Sequence, residues 1–315
     1  MEYSDEFKQI VDVYEKAGGV EADLKDTATA SLVINEDKVL GKVQVPGLKI
    51  NTEQIEDGVD VTITVEEGVE VKNPVHLCFG ILPQEGRQVL KQKFVVKKGA
   101  KVKFISHCLF PNAVKLEHIM NSEMVLEEGA EVSYVEEHFH ADEGSIFVKP
   151  FLRAELKEEA KLFDEFKIVK GKVGLVELDY EVKQGKDSVC DLMTKIYAKK
   201  DDEIKVREAL FLNGEAASGT AKSRIVLKDE SRAIVLSEVV GNAANTRGHV
   251  DCNEVIEGDK ALAEAIPKIK VNHPDAKVTH EAAIGRINKK ELETLMSRGL
   301  SKDEATDFIV KGLLE

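Results

Sequence analysis

The sequence predicts an all-β core, a β-helix-like solenoid, flanked by short α-helices at the N- and C-termini. Two observations lead to this fold class. A repeat of about thirty residues runs through the middle of the chain, and helical spacing of apolar residues is confined to its two ends. The predicted boundaries are an N-terminal helical segment at 1–29, a β-helix core at 30–287 and a C-terminal helical hairpin at 288–315. The chain has no Trp and only 5% aromatic residues, so the core must be mostly aliphatic.

The N-terminal segment carries helical spacing over residues 1–18. Its apolar positions are Phe7, Ile10, Val11 and Tyr14. The pair Gly18-Gly19 follows them, and glycine is the commonest residue just past a helix C-terminus. We therefore expect one amphipathic helix that ends at these glycines.

The repeat is defined by two series of similar turns. The first series recurs at a constant interval and consists of 95-VVKKGAKV-102, 125-VLEEGAEV-132 and 155-ELKEEAKL-162, with an earlier copy at 65-VEEGVEV-71. The second series has an interval that is shorter by one position and consists of 198-AKKDDEIKV-206, 227-LKDESRAIV-235 and 256-IEGDKALAE-264. Each copy joins an apolar strand end to a charged or glycine-containing turn and a further alternating strand. A fixed period of this length favours a solenoid with two or three short strands per turn, and 241-GNAANTRG-248 is then a turn inside it. An antiparallel sandwich with similar turns is the alternative.

The C-terminal segment 288-NKKELETLMSRGLSKDEATDFIVKGLLE-315 predicts two helices. Asn288 with Glu291, and Ser301 with Glu304, are spaced as N-cap and N3 residues, which can cap each other reciprocally. Arg298-Gly299 is the expected break. The apolar positions of the hairpin are Leu292, Leu295, Met296, Ala305, Phe308, Ile309 and Leu313. Those of the second helix share one face, part of which must pack on the solenoid.

Composition excludes several classes of function. The net charge of −14 argues against a nucleic-acid partner, since phosphate binding requires a basic surface. No apolar run approaches about 18 residues, so we expect neither a signal peptide nor a membrane span. We therefore expect the protein to be cytoplasmic. The four cysteines form no CxxC pair, which indicates reduced thiols rather than a disulfide framework.

Two segments suggest a metal site, 247-RGHVDCNEVI-256 and 279-THEAAIGRI-287. The interval from Cys252 to Glu281 equals that of the second series of turns, so one turn of the solenoid would stack them on one face of adjacent rungs, with His280 on the opposite face. Two such pairs, contributed by two subunits, would give four ligands, and thiolate favours iron–sulfur clusters, zinc or copper(I). His249 has an odd offset from Cys252 and is a weaker candidate. The alternative is that Cys252 is a small buried hydrophobe and Glu281 a solvated acid.

A second set of residues follows the interval of the first series of turns. Cys78, Cys108 and His138 would stack as a ladder that passes sulfur, binds metal or is only an interior stack of small polar residues. His138 and His140 could both be ligands, but we interpret them as part of a solvated loop beside Asp142. No phosphate-binding loop is found, because 214-GEAASGTAKS-223 lacks the contiguous Gly-Lys-Ser/Thr. ATP chemistry would have to come from a partner.

The patterns HPDAxxTHEAAIGRI and LMSRGLSxxEAxxxIVxG, within 247–287 and 291–315, closely resemble the SufB/SufD family of iron–sulfur cluster assembly scaffolds. The resemblance implies a right-handed parallel β-helix. It implies a scaffold rather than an enzyme. This scaffold would work with SufC, an ABC-type ATPase that docks on the C-terminal helices. It also implies a transient iron–sulfur cluster that is passed to apo iron–sulfur proteins.

The resemblance assigns Cys252 as the cluster-building cysteine, Glu281 as its partner and His280 as the histidine beside it. Having both Cys252 and Glu281 makes the chain SufB-like rather than SufD-like. Three features depart from bacterial SufB: a large N-terminal portion and the last C-terminal helix are missing, and 125–132 lacks a second cysteine. We therefore expect a homodimer that pairs through rungs 222–287, because solenoid edges need protection and a two-fold axis would join two sites. The alternatives are a β-helix carbohydrate-active enzyme, which the lack of Trp disfavours, and a binding or structural solenoid without chemistry.

Overall fold

The computed structural model describes residues 3–314 and consists mainly of β-strands. The elements are α1 (Asp5–Ala17), α2 (Glu21–Lys25), β1 (Ser31–Asn35), β2 (Lys38–Val43), β3 (Leu48–Ile55), β4 (Gly58–Val65), β5 (Val75–Gly80), β6 (Glu85–Val96), β7 (Lys101–Phe110), β8 (Lys115–Leu126), β9 (Glu131–His140), β10 (Ser145–Leu156), β11 (Lys161–Lys170), β12 (Leu175–Gln184), β13 (Val189–Ala198), β14 (Glu203–Leu212), β15 (Ser218–Lys228), β16 (Arg232–Gly241), β17 (Arg247–Glu257), β18 (Leu262–Val271), β19 (Lys277–Arg286), α3 (Lys289–Met296) and α4 (Lys302–Leu314). No helix among the described residues is long and apolar enough to cross a bilayer.

The strands form a parallel solenoid of about 8 turns, which confirms the predicted fold class. They alternate between two sheets. The first, sheet A, has the order β19-β17-β15-β13-β11-β9-β7-β5-β1-β2, and the second, sheet B, has the order β18-β16-β14-β12-β10-β8-β6-β4-β3. From β4 onward each strand pairs in parallel with the strand two later in the chain, so a turn contains two strands. The antiparallel sandwich is therefore wrong. Only the beginning departs from the pattern, because β1 with β2 and β3 with β4 pair antiparallel.

The repeated segments of the sequence form turns that stack on one another along the solenoid axis. Gly68, Gly99 and Gly129 have φ values of 68°, 64° and 66°, which glycine adopts without the steric penalty of a Cβ. The N–H of Gly99 donates to the carbonyl of Glu128, and the N–H of Gly129 donates to that of Glu158, both at 2.9 Å. Each turn is thus bonded to the next one along the solenoid axis.

Helices cover parts of sheet A near both ends. Phe7, Ile10 and Tyr14 of α1 pack with Cys78 of β5, and α1 ends at Gly18, whose φ is 112° as expected for a left-handed cap. The break between α3 and α4 lies at Gly299, as predicted.

The C-terminal helix α4 differs from expectation in the face that it buries. Ala305, Val310 and Leu314 are buried, and the last two pack with Tyr197 and Val226 of the solenoid. Phe308, which the sequence pattern places on the packing face, is 63% exposed. Inward residues at Thr306, Val310 and Leu314 follow the spacing i, i+4, i+8, so the packed stripe is rotated away from Phe308.

The predicted helix caps are present. Ser301 and Glu304 form the reciprocal cap: the N–H of Ser301 donates to a Glu304 carboxylate oxygen at 2.8 Å, and the N–H of Glu304 donates to the Ser301 hydroxyl at 3.3 Å. At the start of α3, the side chain of Asn288 accepts from the N–H groups of Lys290 and Glu291. Both helices of the hairpin therefore begin where the sequence pattern placed them.

Candidate functional site

Cys252 lies on β17, the second-last strand of sheet A, and faces the interior of the solenoid. It shares this inward face with Val250 and Glu254, and the residue is only 1% exposed. Its Sγ lies 3.7 Å from the hydroxyl of Ser237, which comes from sheet B across the core. Burial raises the pKa of the thiol, so iron would have to displace a proton to bind it.

The register at the last rung differs from the sequence expectation. Ser218 on β15 pairs with Arg247 on β17, and Arg247 in turn pairs with Lys277 on β19. The second of these steps along the chain is longer than the first by one position. The turn before β18 (residues 258–261) has four residues, whereas the turn before β16 (residues 229–231) has three. This single extra residue moves the whole of β19 by one position, and side chains alternate faces along a strand.

The predicted stacking of Cys252 with Glu281 is therefore wrong. Ala282 pairs with Cys252, Glu281 pairs with the outward Asp251, and His280 pairs with the inward Val250. His280, expected on the opposite face from Cys252, instead shares the inward row, and Glu281 occupies the outer face. In this arrangement one chain does not place the thiol and the Glu281 carboxylate on one ion.

His249 lies on the outer face at an odd offset from Cys252, as predicted. Its Nδ1 is 2.8 Å from the hydroxyl of Thr279, its neighbour on β19. On the same face, Arg224 Nη1 donates to Asp251 Oδ1 at 3.1 Å. The outer face of the last rungs therefore presents His249, Asp251 and Glu281, while the inner face presents Cys252 and His280.

The structure adds a group of buried polar residues around Cys252. Glu254 Oε1 accepts from the hydroxyl of Ser223 at 2.8 Å, and Glu208 Oε1 accepts from the hydroxyl of Thr194 at 2.6 Å. Burial raises the pKa of Glu254 and raises the pKa of Glu208 to about 7. Sequence analysis missed both acids as site residues. The even offset of Glu254 from Cys252 places the two on one face and is the signal that could have found it.

The last rung leaves the end of the solenoid open. β18 and β19 are the terminal strands of their sheets in the described part of the chain, so each has one edge that no other described strand pairs with. Ile269, Val271 and Ile284 extend inward rows of the solenoid, but without a further rung above them they are exposed, Ile284 by 47%. Only this single rung separates Cys252 from the open end.

The other predicted constellation is only partly assembled. Cys108 pairs with His138 in one inward row, as expected, but the residue below Cys108 is Phe79, because Cys78 pairs with His107. Cys78 instead faces α1. The predicted solvated loop at His138 and His140 is wrong, because both side chains are buried inside β9.

Comparison with known proteins shows that this chain is similar to proteins of iron–sulfur cluster assembly. The SufBD core domain of the SUF system for FeS cluster assembly matches residues 83–313. An iron–sulfur cluster assembly SufBD family protein of Methanocaldococcus jannaschii is 35% identical over 283 residues, which are 90% of this chain and 89% of that protein. One of Pyrococcus horikoshii is 36% identical over 309 residues, 98% of this chain and 94% of its own length. A longer one from the same archaeon is 31% identical over 262 residues, 81% of this chain and 57% of its length.

Proposed function

The chain belongs to the SufBD family of iron–sulfur cluster assembly proteins, and from this premise we propose that it is a scaffold on which a nascent cluster is built. The scaffold works with a SufC-type ABC ATPase and passes its cluster to apo iron–sulfur proteins. Cys252 is the principal ligand, because thiolate binds iron more strongly than carboxylate or imidazole does. Glu281 and His280 are secondary ligands, and His249 is a weaker one.

The observation that carries the proposal is the position of Cys252, one rung below the open end of the solenoid. The residue that covers it in sheet A is Ala282, whose side chain is a single methyl group. A small displacement of the edge strand β19 is therefore enough to expose the thiol. Local opening of this kind is cheapest where strands have few neighbours, as at the end of a repeat array.

Bringing Cys252 and Glu281 onto one cluster requires a rearrangement of the last rung or a second subunit. A one-residue slip of β19 would place Glu281 above Cys252 and turn His280 outward, since side chains alternate faces. His280 would therefore be the ligand in the observed register and Glu281 the ligand in the slipped one. Because within residues 3–314 β19 pairs with only β17, such a slip breaks the bonds of one strand interface. We propose that partner binding at this edge selects the slipped register.

We propose that the second subunit is another copy of this chain, joined at rungs 222–287. The exposed apolar side chains of Ile269, Val271 and Ile284 need cover. Strand edges that face each other across a two-fold axis satisfy their backbone groups and bring two Cys252 sites together. The dimer thereby supplies more ligands than one chain offers.

We propose that the ATPase docks on the hairpin of α3 and α4. Phe308 projects from α4 away from the solenoid, and Met296 at the end of α3 is 42% exposed. Aromatic side chains of this kind are frequent anchors at protein interfaces. The opposite face of α4 holds the hairpin on the solenoid through Val310 and Leu314.

The test is anaerobic reconstitution with Fe²⁺ and sulfide, followed by a visible spectrum and an iron and sulfide count. The wild-type chain should develop a charge-transfer band that Cys252→Ala loses. Cys190→Ala is the matched control, since Cys190 is also buried in sheet A but lies on β13. Glu281→Ala should give a cluster that decays faster, whereas Glu264→Ala, which removes an exposed acid from β18, should not.

Each outcome decides between the proposal and an alternative. A Cys252→Ala chain that still holds a full complement of iron and sulfide would place the cluster elsewhere. A wild-type chain that builds none, under conditions in which it is folded, would favour a solenoid with a purely structural or binding role.

A further inference from the structure

A second set of potential ligands lies deep inside the solenoid, away from the open end. Cys108 on β7 is paired with His138 on β9, and Glu136 precedes His138 by two residues on the same inward face of β9. Cys108, His138 and Glu136 are 0%, 3% and 2% exposed, respectively. One potential ligand atom from each lies within 4.8 Å of the others. Four strand spacings in sheet A, about 19 Å, separate β9 from β17, the strand of Cys252.

We propose that Cys108, Glu136 and His138 bind one divalent first-row transition ion, Zn²⁺ or Fe²⁺, inside the solenoid. This site is independent of the cluster proposed at Cys252. A sulfur, a nitrogen and an oxygen ligand are a mixed set that suits ions of intermediate softness. Bond lengths of about 2.0–2.3 Å imply ligand separations of about 3.3–3.8 Å in a tetrahedral site, so the observed spacing needs only small side-chain movements.

The hydrogen bonds around His138 orient one ring nitrogen towards the other two ligands. His140 Nδ1 lies 2.7 Å from the carbonyl oxygen of Lys172, which can only accept, so Nδ1 carries the proton. The Nε2 atom of His140 is then an acceptor, and His138 Nδ1 donates to it at 3.3 Å. The remaining nitrogen, His138 Nε2, therefore presents its lone pair, 2.8 Å from Glu136 Oε1. A histidine whose other nitrogen donates a hydrogen bond is the usual arrangement at a metal site.

A second observation points to the same place from the opposite sheet. His118 on β8 is fully buried, and neither ring nitrogen has a hydrogen-bond partner among residues 3–314. Its ring centroid is 5.8 Å from that of His138. A buried polar group without a partner costs free energy, and an ion is one of the few explanations for it. His118 lies outside the group of mutually close ligand atoms, so a side-chain movement would be needed for it to complete the ligand set and tie sheet A to sheet B.

Charge balance favours a site that holds a divalent ion over the same site with its negative charges uncompensated. A thiolate and a carboxylate together carry two negative charges, which an ion with two positive charges neutralises. The interior of the solenoid then holds no net charge at this point, which avoids the large cost of burying one. The ion would stabilise the folded chain, because the ligands converge only in the folded state.

The proposal is tested by refolding the full chain with one equivalent of Co²⁺, Zn²⁺ or Fe²⁺ and removing free metal. No sulfide is present, so cluster formation does not contribute. The wild type should retain about one ion per chain and, with Co²⁺, show a thiolate-to-cobalt charge-transfer band. Comparison of the Zn²⁺ and Fe²⁺ samples by metal analysis identifies the preferred ion.

The variants Cys108→Ser and Glu136→Gln preserve side-chain size and should each reduce the retained metal at least tenfold. Cys78→Ser is the matched control, since Cys78 is equally buried on the neighbouring strand β5 but faces α1. Cys252→Ala should retain the ion, which separates this site from the proposed cluster site. Circular dichroism establishes that each variant is folded. Folded wild-type chain without retained metal, or retention unchanged in both ligand variants, would overturn the proposal.

Discussion

The buried carboxyl of Glu208 should make the stability of the solenoid depend on pH. Glu208 faces the core from β14, with one oxygen bonded to Thr194 and the other, Oε2, without a partner among the described residues. Burial raises its pKa from 4.5 to about 7 in the folded chain. The folded state therefore holds this proton more tightly than the unfolded state does. Its contribution is most favourable below the unfolded pKa and is lost as pH rises through the folded pKa.

The size of the effect follows from the difference in pKa. A shift from 4.5 to about 7 corresponds to about 3 kcal/mol once the carboxyl is ionised in both states. Between about pH 5.5 and about pH 8.5 the two-state titration gives a loss of about 2 kcal/mol. In Glu208→Gln this loss should be absent, while any cost of burying the amide is the same at both pH values. The variant should therefore gain about 2 kcal/mol relative to the wild type between these two conditions.

The assay is urea denaturation of both proteins at the two pH values, with the midpoints compared at a common slope. Glu203→Gln, at the exposed start of the same strand, is the control and should follow the wild type. If the difference between Glu208→Gln and wild type is the same at both pH values, Glu208 is not a buried acid that ionises on this range. The reasoning from burial would then be refuted.

Three further predictions concern the open end, the hairpin and the turns. Ile284→Arg should convert the proposed dimer into a monomer, as measured by light scattering. The control Phe163→Arg, at an exposed position of β11 outside the proposed interface, should remain a dimer. If Ile284→Arg is still a dimer, the interface lies elsewhere. Phe308→Ala should weaken co-purification with the ATPase roughly tenfold without changing the melting temperature, and unchanged binding would remove the hairpin anchor. Gly171→Ala should cost about 3 kcal/mol in denaturation, because its new Cβ would overlap the carbonyl oxygen of His140. Gly99→Ala, also at positive φ but with open space, should cost only about 1 kcal/mol, and equal costs would contradict the steric argument.

The two series of turns predicted the solenoid because the conformation of each turn depends on residues that are close together in the sequence. Gly99 and Gly129 adopt a positive φ that other residues disfavour, and they recur at the interval of one complete turn of the chain. Ser301 with Glu304 predicted a helix start for the same reason, since the cap is formed by residues three apart. The identity of the family also followed from contiguous motifs near the C-terminus.

The faces of the candidate ligands could not be obtained in this way. The identity of the neighbour of Cys252 depends on how many residues lie in the turn 258–261, and one extra residue exchanges the places of His280 and Glu281. Such an insertion leaves the alternation of inward and outward residues within each strand intact, so it cannot be detected from that alternation. The interval of the second series of turns holds from β13 to β15 and from β15 to β17, and it fails at the step from β17 to β19.

The buried ligands Cys108, Glu136 and His138 show a second limit. Polar residues in a strand normally indicate a solvated face, and by that rule the sequence predicts His138 and His140 in a loop. Their side chains lie inside because the strand as a whole places its even-numbered residues towards sheet B, a choice enforced by apolar neighbours such as Val132. The solenoid and its turns could be predicted from the chain alone, because they depend on backbone conformation and short-range spacing. Which polar groups meet could be learned only from the folded molecule, because that depends on the register between strands and on which face the opposite sheet covers.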